Sequence, residues 1–251
     1  MLRWGEVSWP HIEENKDELI AVLPTGSVEQ HGPHLPLQTD TEVPMAVADN
    51  LCGEISPDIE DRLIMLPPVE YTYAKHSNPW PGTLNLSGPT LISLIYDIAS
   101  EVFRTGISKL IVLNGHMENV QFIEEGMRLA LEVNPDCSAA HMNWWDFVSD
   151  ELIDEVFGDA WPGWEKEHAA LTETSLMLAI SAEKVDTKEE FPTDVTTTDT
   201  DYTLLPESPE SLPPSGVFAD CTGASAEIGH KILDEITKQM SDAVSEFVKN
   251  D

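Results

Sequence analysis

Basic residues are scarce in this chain: 13 Lys and Arg face 46 Asp and Glu, for a formal charge of −33. The acids are spread along the sequence rather than gathered in a tail, so the basic footprint that a nucleic-acid partner needs is missing. Such a surface suits concentrated salt, where a Debye length of about 3 Å at 1 M removes most self-repulsion. Cysteine is scarce as well. Cys52, Cys137 and Cys221 are widely spaced and form no CxxC pair, which argues against a disulfide framework and against a thiolate zinc site. They read as inert free thiols. No apolar run approaches the roughly 20 residues that span a bilayer, and Met1–Pro10 lacks a signal-peptide pattern. The expectation is a soluble, cytoplasmic protein with neither membrane nor nucleic-acid partners.

What is present suits one α/β domain. The 251 residues are 41% hydrophobic, enough for a sizeable core, and they contain no internal repeat. Short apolar runs at Leu19–Leu23, Leu63–Leu66, Lys109–Leu113 and Ser138–Met142 read as buried strands. Helical spacing appears over Thr41–Cys52, from Ser87-Gly88-Pro89 to Gly106 (Leu91, Leu94, Ile98, Val102), and over Glu118–Leu131. It returns at Leu171–Ile180 and at Ala226–Phe247, where Ile228, Ile232, Ile236, Met240 and Val244 recur every fourth residue. Pro44 fits its helix only if it lies in the first turn. This strand–loop–helix order predicts a three-layer α/β/α domain around a mostly parallel sheet. The Thr-, Pro- and acid-rich stretch 183–215 reads as a surface excursion of a single domain covering 1–251.

Two clusters carry the chemistry. Leu23–Asp40, LPTGSVEQHGPHLPLQTD, packs two acids, two histidines, two Gly and three Pro behind the first strand. Asn114–Asn119, NGHMEN, follows the Lys109–Leu113 strand in the same way. Sites in open α/β sheets gather beyond the carboxyl ends of strands, so both clusters should open onto one edge. Glu29 and His31 are two apart, and an extended backbone points both the same way; His116 and Glu118 repeat the spacing. With Asp40 they make a mixed N/O set of two imidazoles and three carboxylates, suited to zinc, manganese or a similar divalent ion. Three carboxylates leave a charge of about −1 around one dication and about +1 around two, which favours a pair of ions. Asp40, alone between the two pairs, is the choice for the bridging group. His11, His141 and His230 have no such context and read as structural, and His34 as structural or supporting.

These residues resemble the creatininase (creatinine amidohydrolase) family. GSVEQHGPHLPLQTD and LNGHMEN carry the resemblance, with PGT at Pro81–Thr83, WDF at Trp145–Phe147 and GWEKEHAALTETSLMLA at Gly163–Ala179 following in order. The resemblance covers about Leu19–Ile180, with a fainter echo in the last helix. It implies an α/β/α hydrolase with a binuclear metal centre, Zn or Mn, acting on a small molecule, and usually a homohexamer. By matched position, Glu29, Asp40 and His116 would hold one ion and His31, Asp40 and Glu118 the other, with Glu118 also counted among the catalytic groups. Trp145 and Trp164 would flank the substrate, His168 would shuttle a proton, and Glu173 would orient it or hold the substrate. Glu118 and His168 lean toward the creatinine-cleaving branch. Met117 stands where that branch tends to have Tyr, and the Tyr71–Trp80 loop, which would bring His76 to the substrate wall, also departs from it. Creatinine hydrolysis is therefore the first expectation. Hydrolysis of a formamide or other amide, such as a pyrimidine-nucleotide precursor, is the second, and a non-catalytic metal-binding subunit the third.

Overall fold

The structure is a computed structural model that describes residues 1–188, 190–193 and 213–249. Five strands, β1 (Leu2–Arg3), β2 (Ile20–Thr25), β3 (Leu63–Met65), β4 (Lys109–Asn114) and β5 (Ser138–Asn143), form one sheet in the order β1-β3-β2-β4-β5. Every pairing is parallel. The α-helices are α1 (Trp9–Asn15), α2 (Thr39–Leu51), α3 (Pro57–Glu60), α4 (Gly88–Arg104), α5 (Val120–Val133), α6 (Asp150–Phe157), α7 (Leu171–Ile180) and α8 (Ala226–Lys249).

The central strands are apolar throughout because both faces of the sheet are covered. Alternate side chains divide between two cores. Ile20, Val22, Leu63, Met65, Ile111 and Leu113 pack with α2, α7 and α8. Ala21, Leu23, Ile64, Leu110 and Val112 pack with α4 and α5 on the opposite face. The result is the expected three-layer domain. From β2 the chain crosses through α2 to β3 on one side, whereas from β4 it crosses through α5 to β5 on the other. The carboxyl ends of β2 and β4 thus flank the point where the winding reverses, the usual ligand crevice of such sheets.

Two glycines close that crevice. A Cβ on Gly26, just after β2, would lie 2.5 Å from the Asp40 carbonyl oxygen, and one on Gly115, just after β4, would overlap the same atom. Both strand ends therefore abut the first turn of α2, which carries Asp40. α2 begins at Thr39, two residues ahead of the expected start, so Pro44 lies beyond the first turn. Pro44 has no N–H to return to the Asp40 carbonyl, which leaves that oxygen to the glycine contacts.

Other expectations shift in detail. β2 runs two residues further than Leu23, into the first cluster. In α4 the most buried side chains are Leu91, Ile95, Ala99, Val102 and Phe103, with Leu94 and Ile98 only half-buried. β1, α1 and α6 were not anticipated, being short or weakly periodic. Most of the 183–215 excursion lies outside the described residues. Of its described flanks, Val185 is buried in the core, as is Val217 just beyond. Among the described residues no helix is long and apolar enough to cross a membrane.

Candidate metal centre

Each loop is shaped by its own polar residues. Asn114 donates through Nδ2 to the His116 carbonyl (2.8 Å) and accepts the His116 N–H (3.1 Å), which fixes the turn after β4. Asn119 ties that turn to the Gly26 carbonyl (2.9 Å). In the first loop the Glu29 N–H bonds the Leu37 carbonyl (3.0 Å), folding the chain back toward α2. Glu29, His31, Asp40 and His116 all come together, each at most 7% exposed.

Asp40 sits between the two imidazoles. Its Oδ1 lies 3.0 Å from His31 Nε2, and its Oδ2 lies 3.1 Å from His116 Nδ1. The far nitrogens are taken by carbonyls: His31 Nδ1 faces Glu29 O (3.1 Å) and His116 Nε2 faces Tyr73 O (2.9 Å). Such partners fix the neutral tautomer and turn a lone pair inward on each ring. Glu29 Oε1 is 3.3 Å from His116 Nδ1, and Glu173 Oε2 is 3.7 Å from His31 Nε2. Both Glu29 oxygens and Asp40 Oδ2 are buried with no hydrogen-bond partner among the described residues. Buried carboxylate oxygens and imidazole nitrogens converging on one another are what a cation requires, so the residues fit a metal ion.

The electrostatics agree. Burial would lower His31, but Asp40, Glu173 and Glu29 outweigh it and hold the ring up at about 10. His116 is likewise held well above its ordinary value against burial, by Glu29 and Asp40. Burial pushes Glu173 up to about 8. Buried Asp40 is nonetheless held well below the carboxylate range by His31 and His116.

Glu118 and Glu173 are distributed differently from the resemblance. Ligand atoms of Glu29, His116 and Glu118 lie within 4.8 Å of one another, and so do those of His31, Asp40 and Glu173 and those of Glu29, His31 and His168. Glu118 therefore groups with His116 rather than with His31, and Glu173 stands on the His31 side. Glu173 also accepts the Ala169 N–H at 2.6 Å, with Ala169 at φ 55.

His168 faces the cluster, with Nδ1 3.6 Å from Glu29 Oε1. Its Nε2 edge rests on Gln30, 3.1 Å from the backbone oxygen and 2.9 Å from the side-chain nitrogen. Gln30 is itself fixed, because Oε1 accepts the Gly32 N–H (2.9 Å) and Nε2 donates to Gly216 O (2.8 Å). Burial, then His31, holds His168 well below its usual value, so the ring is neutral.

A cleft of about 1030 Å³ opens above these groups, walled by Trp145, Trp164, Met117 and His76 as well as by Trp144 and Phe218. Trp144 stands edge-to-face against both Trp145 (centroids 5.7 Å) and Trp164 (5.5 Å). Trp144, which adjoins the WDF motif, and Phe218 were not among the expected site residues. Gln30, inside the first motif, was open to discovery. The remaining histidines lie apart: His34 Nε2 bonds Thr174 Oγ1 (2.8 Å), and His141 leans on Glu124 (3.6 Å).

Glu167 was missed too. It is 5% exposed, accepts the Thr172 N–H (2.6 Å) at the start of α7, and burial raises it to about 7. A carboxyl raised from 4.5 to about 7 favours the folded state below the lower value and loses that advantage as pH rises through the upper one. Glu167→Gln is therefore expected to gain stability over the wild type between pH 5 and pH 8 by up to roughly 3 kcal/mol. Thermal unfolding of the metal-free proteins at the two pH values checks the sign.

The profile of the family described as "Creatininase: Creatinine amidohydrolase" matches residues 5–244. The creatinine amidohydrolase of Pseudomonas putida is 32% identical over 96% of this chain and 95% of its own length. The mycofactocin precursor peptide peptidase of Mycolicibacterium smegmatis is 27% identical over 91% of this chain and 85% of its own. Among solved structures, a mutant creatininase complexed with creatine superimposes with a TM-score of 0.89 at 32% identity, over 98% of both chains. Creatininases in a manganese form (99% of both chains) and a Zn–Zn form (98% of both) superimpose equally well, each with a TM-score of 0.89 and 31% identity.

Proposed function

The chain belongs to the creatininase family and is a metal-dependent hydrolase of C–N bonds, and from that premise we propose that it opens a small cyclic amide, creatinine foremost, over two divalent ions. The observation that carries the two-ion reading is the position of Asp40, whose two oxygens address two different imidazoles at 3.0 and 3.1 Å. Asp40 would be the shared ligand, with His116, Glu29 and Glu118 completing one position and His31 and Glu173 the other. Zinc and manganese both suit this N/O set.

Ions bound there supply a water nucleophile near neutral pH and polarise the carbonyl oxygen. The chain's residues do the rest. Trp145 and Trp164 hold a flat ring in the cleft and exclude water from it. Held at its Nε2 edge by Gln30, His168 turns its other edge into the cleft, where it takes the proton released by the attacking water and hands it to the departing nitrogen. The neutral state of His168 suits that shuttle. As the C–N bond breaks, the carbonyl carbon keeps the oxygen of water and the nitrogen leaves with the proton. A neutral substrate also suits so acidic a protein, because no anion must approach.

A second reading, an amide hydrolase acting on an anionic substrate, has Lys75 behind it, the one Lys or Arg among the described residues of the cleft wall. Incubating the metal-loaded protein in molar salt with creatinine, N-formylglycine and neutral formamides separates the two. Creatine formation supports the first reading. Untouched creatinine with a cleaved formamide reverses the order, and inertness toward all of them at two bound equivalents supports a non-catalytic metal-binding subunit.

A further inference from the structure

The geometry points to His76 as a positioning residue for Glu118, clamping it so that one of the two ions is held tightly; this rests on the reading of Glu118 as a ligand. Glu118 projects from the short turn Met117–Asn119, and residue 76 reaches it from the opposite wall of the cleft. His76 Nδ1 lies 2.7 Å from Glu118 Oε1, and the His76 backbone N–H donates to Glu118 Oε2 at 3.1 Å. A single residue thus engages both oxygens of the carboxylate. Each carboxylate oxygen has two lone pairs, so one contact apiece leaves one pair on each for an ion.

The contrast with Glu29 is informative, because its oxygens have no hydrogen-bond partner. Glu29 is immobilised by burial, at 1% exposure. Glu118 is more exposed and needs another constraint. Residue 76 can supply it because its neighbours are pinned on either side. The Ala74 N–H bonds Asn85 Oδ1 (2.9 Å), and Thr83 Oγ1 donates to the Ser77 carbonyl (2.8 Å) while accepting the Gln30 N–H (3.1 Å). The clamp is therefore held in the wall by the wall's own hydrogen bonds. Partners of this kind, which orient a metal ligand without touching the metal, typically contribute 10–100-fold to metal affinity.

The test is zinc titration against a chromogenic chelator, with the bound equivalents counted by elemental analysis, on wild type, His76→Ala, His76→Asn and Glu118→Gln. Wild type is expected to bind two ions. His76→Ala should weaken one of them by about 10–100-fold and leave the other unchanged. Asn places an amide N–H near the Nδ1 position and should restore most of the loss, and Glu118→Gln should weaken the same ion. The His76 side chain is 41% exposed, so the alanine variant should unfold at the wild-type temperature when metal-free. Two ions bound to His76→Ala as tightly as to wild type would overturn the clamp. Equal weakening of both ions with a lowered unfolding temperature would also overturn it, in favour of a purely structural role. A wild type that binds one ion, or a Glu118→Gln that binds two normally, removes the underlying ligand reading instead.

Discussion

Asp40→Asn is expected to lower bound metal from two equivalents to one or none and to reduce turnover by at least about three orders of magnitude. The amide keeps the shape of the carboxylate but loses its charge, and it can turn an oxygen toward only one of the two imidazoles. Both positions draw on Asp40, so neither survives intact. Ions in such sites supply several kcal/mol of charge stabilisation, and about 1.4 kcal/mol is worth tenfold in rate, which sets the scale of the loss. The metal-free variant should be less stable too, by roughly 3 kcal/mol, because two buried imidazoles lose the anion they share. Elemental analysis is the decisive measurement. An Asn variant that still carries two ions would end the bridging assignment whatever its activity.

His168→Gln should behave in the opposite way toward metal. Its ring stands 3.6 Å from Glu29 and 4.6 Å, centroid to centroid, from His31, but it lies outside the Asp40-centred set proposed to hold metal, so two ions should remain bound while kcat falls by about 10²–10⁴-fold and KM changes little. Because the proposed task is protonation of the leaving nitrogen, the deficit should shrink for amides whose departing nitrogen is less basic. A deficit of the same size across a leaving-group series would argue that His168 places the substrate rather than moving a proton. Loss of an ion in this variant would make it a ligand.

The convergence of Glu29, His31, Asp40 and His116 was legible in the sequence because its signals are local. Glu29 with His31 and His116 with Glu118 sit two apart behind apolar runs that read as buried strands. Asp40 returns at the start of the next helix. The distribution of the carboxylates was less accessible. Which imidazole Glu118 and Glu173 approach depends on how the Met117–Asn119 turn meets the 75–79 wall and on how α7 is set against β2, and these are tertiary relations with no sequence period. Glu167 and Gln30 were overlooked for a related reason. Their importance comes from burial and from backbone partners in Thr172, Gly32 and Gly216, none of which spacing reveals. Pro44 shows the limit of local rules. A proline judged tolerable only in the first turn lies further in, because the carbonyl it cannot bond is the one that both glycines pack against.

That packing has a consequence for how such a scaffold can diversify. The proposed ligands are mounted largely on two strand ends and one helix start that Gly26 and Gly115 bring into backbone contact, whereas the cleft walls at 73–79 and around Trp164 are irregular chain anchored by a few side-chain bonds. Insertions or substitutions in those walls would reshape what the cleft admits while leaving the reactive machinery in register. The relatives include a creatinine amidohydrolase and a peptide peptidase, named for substrates of very different size on one scaffold.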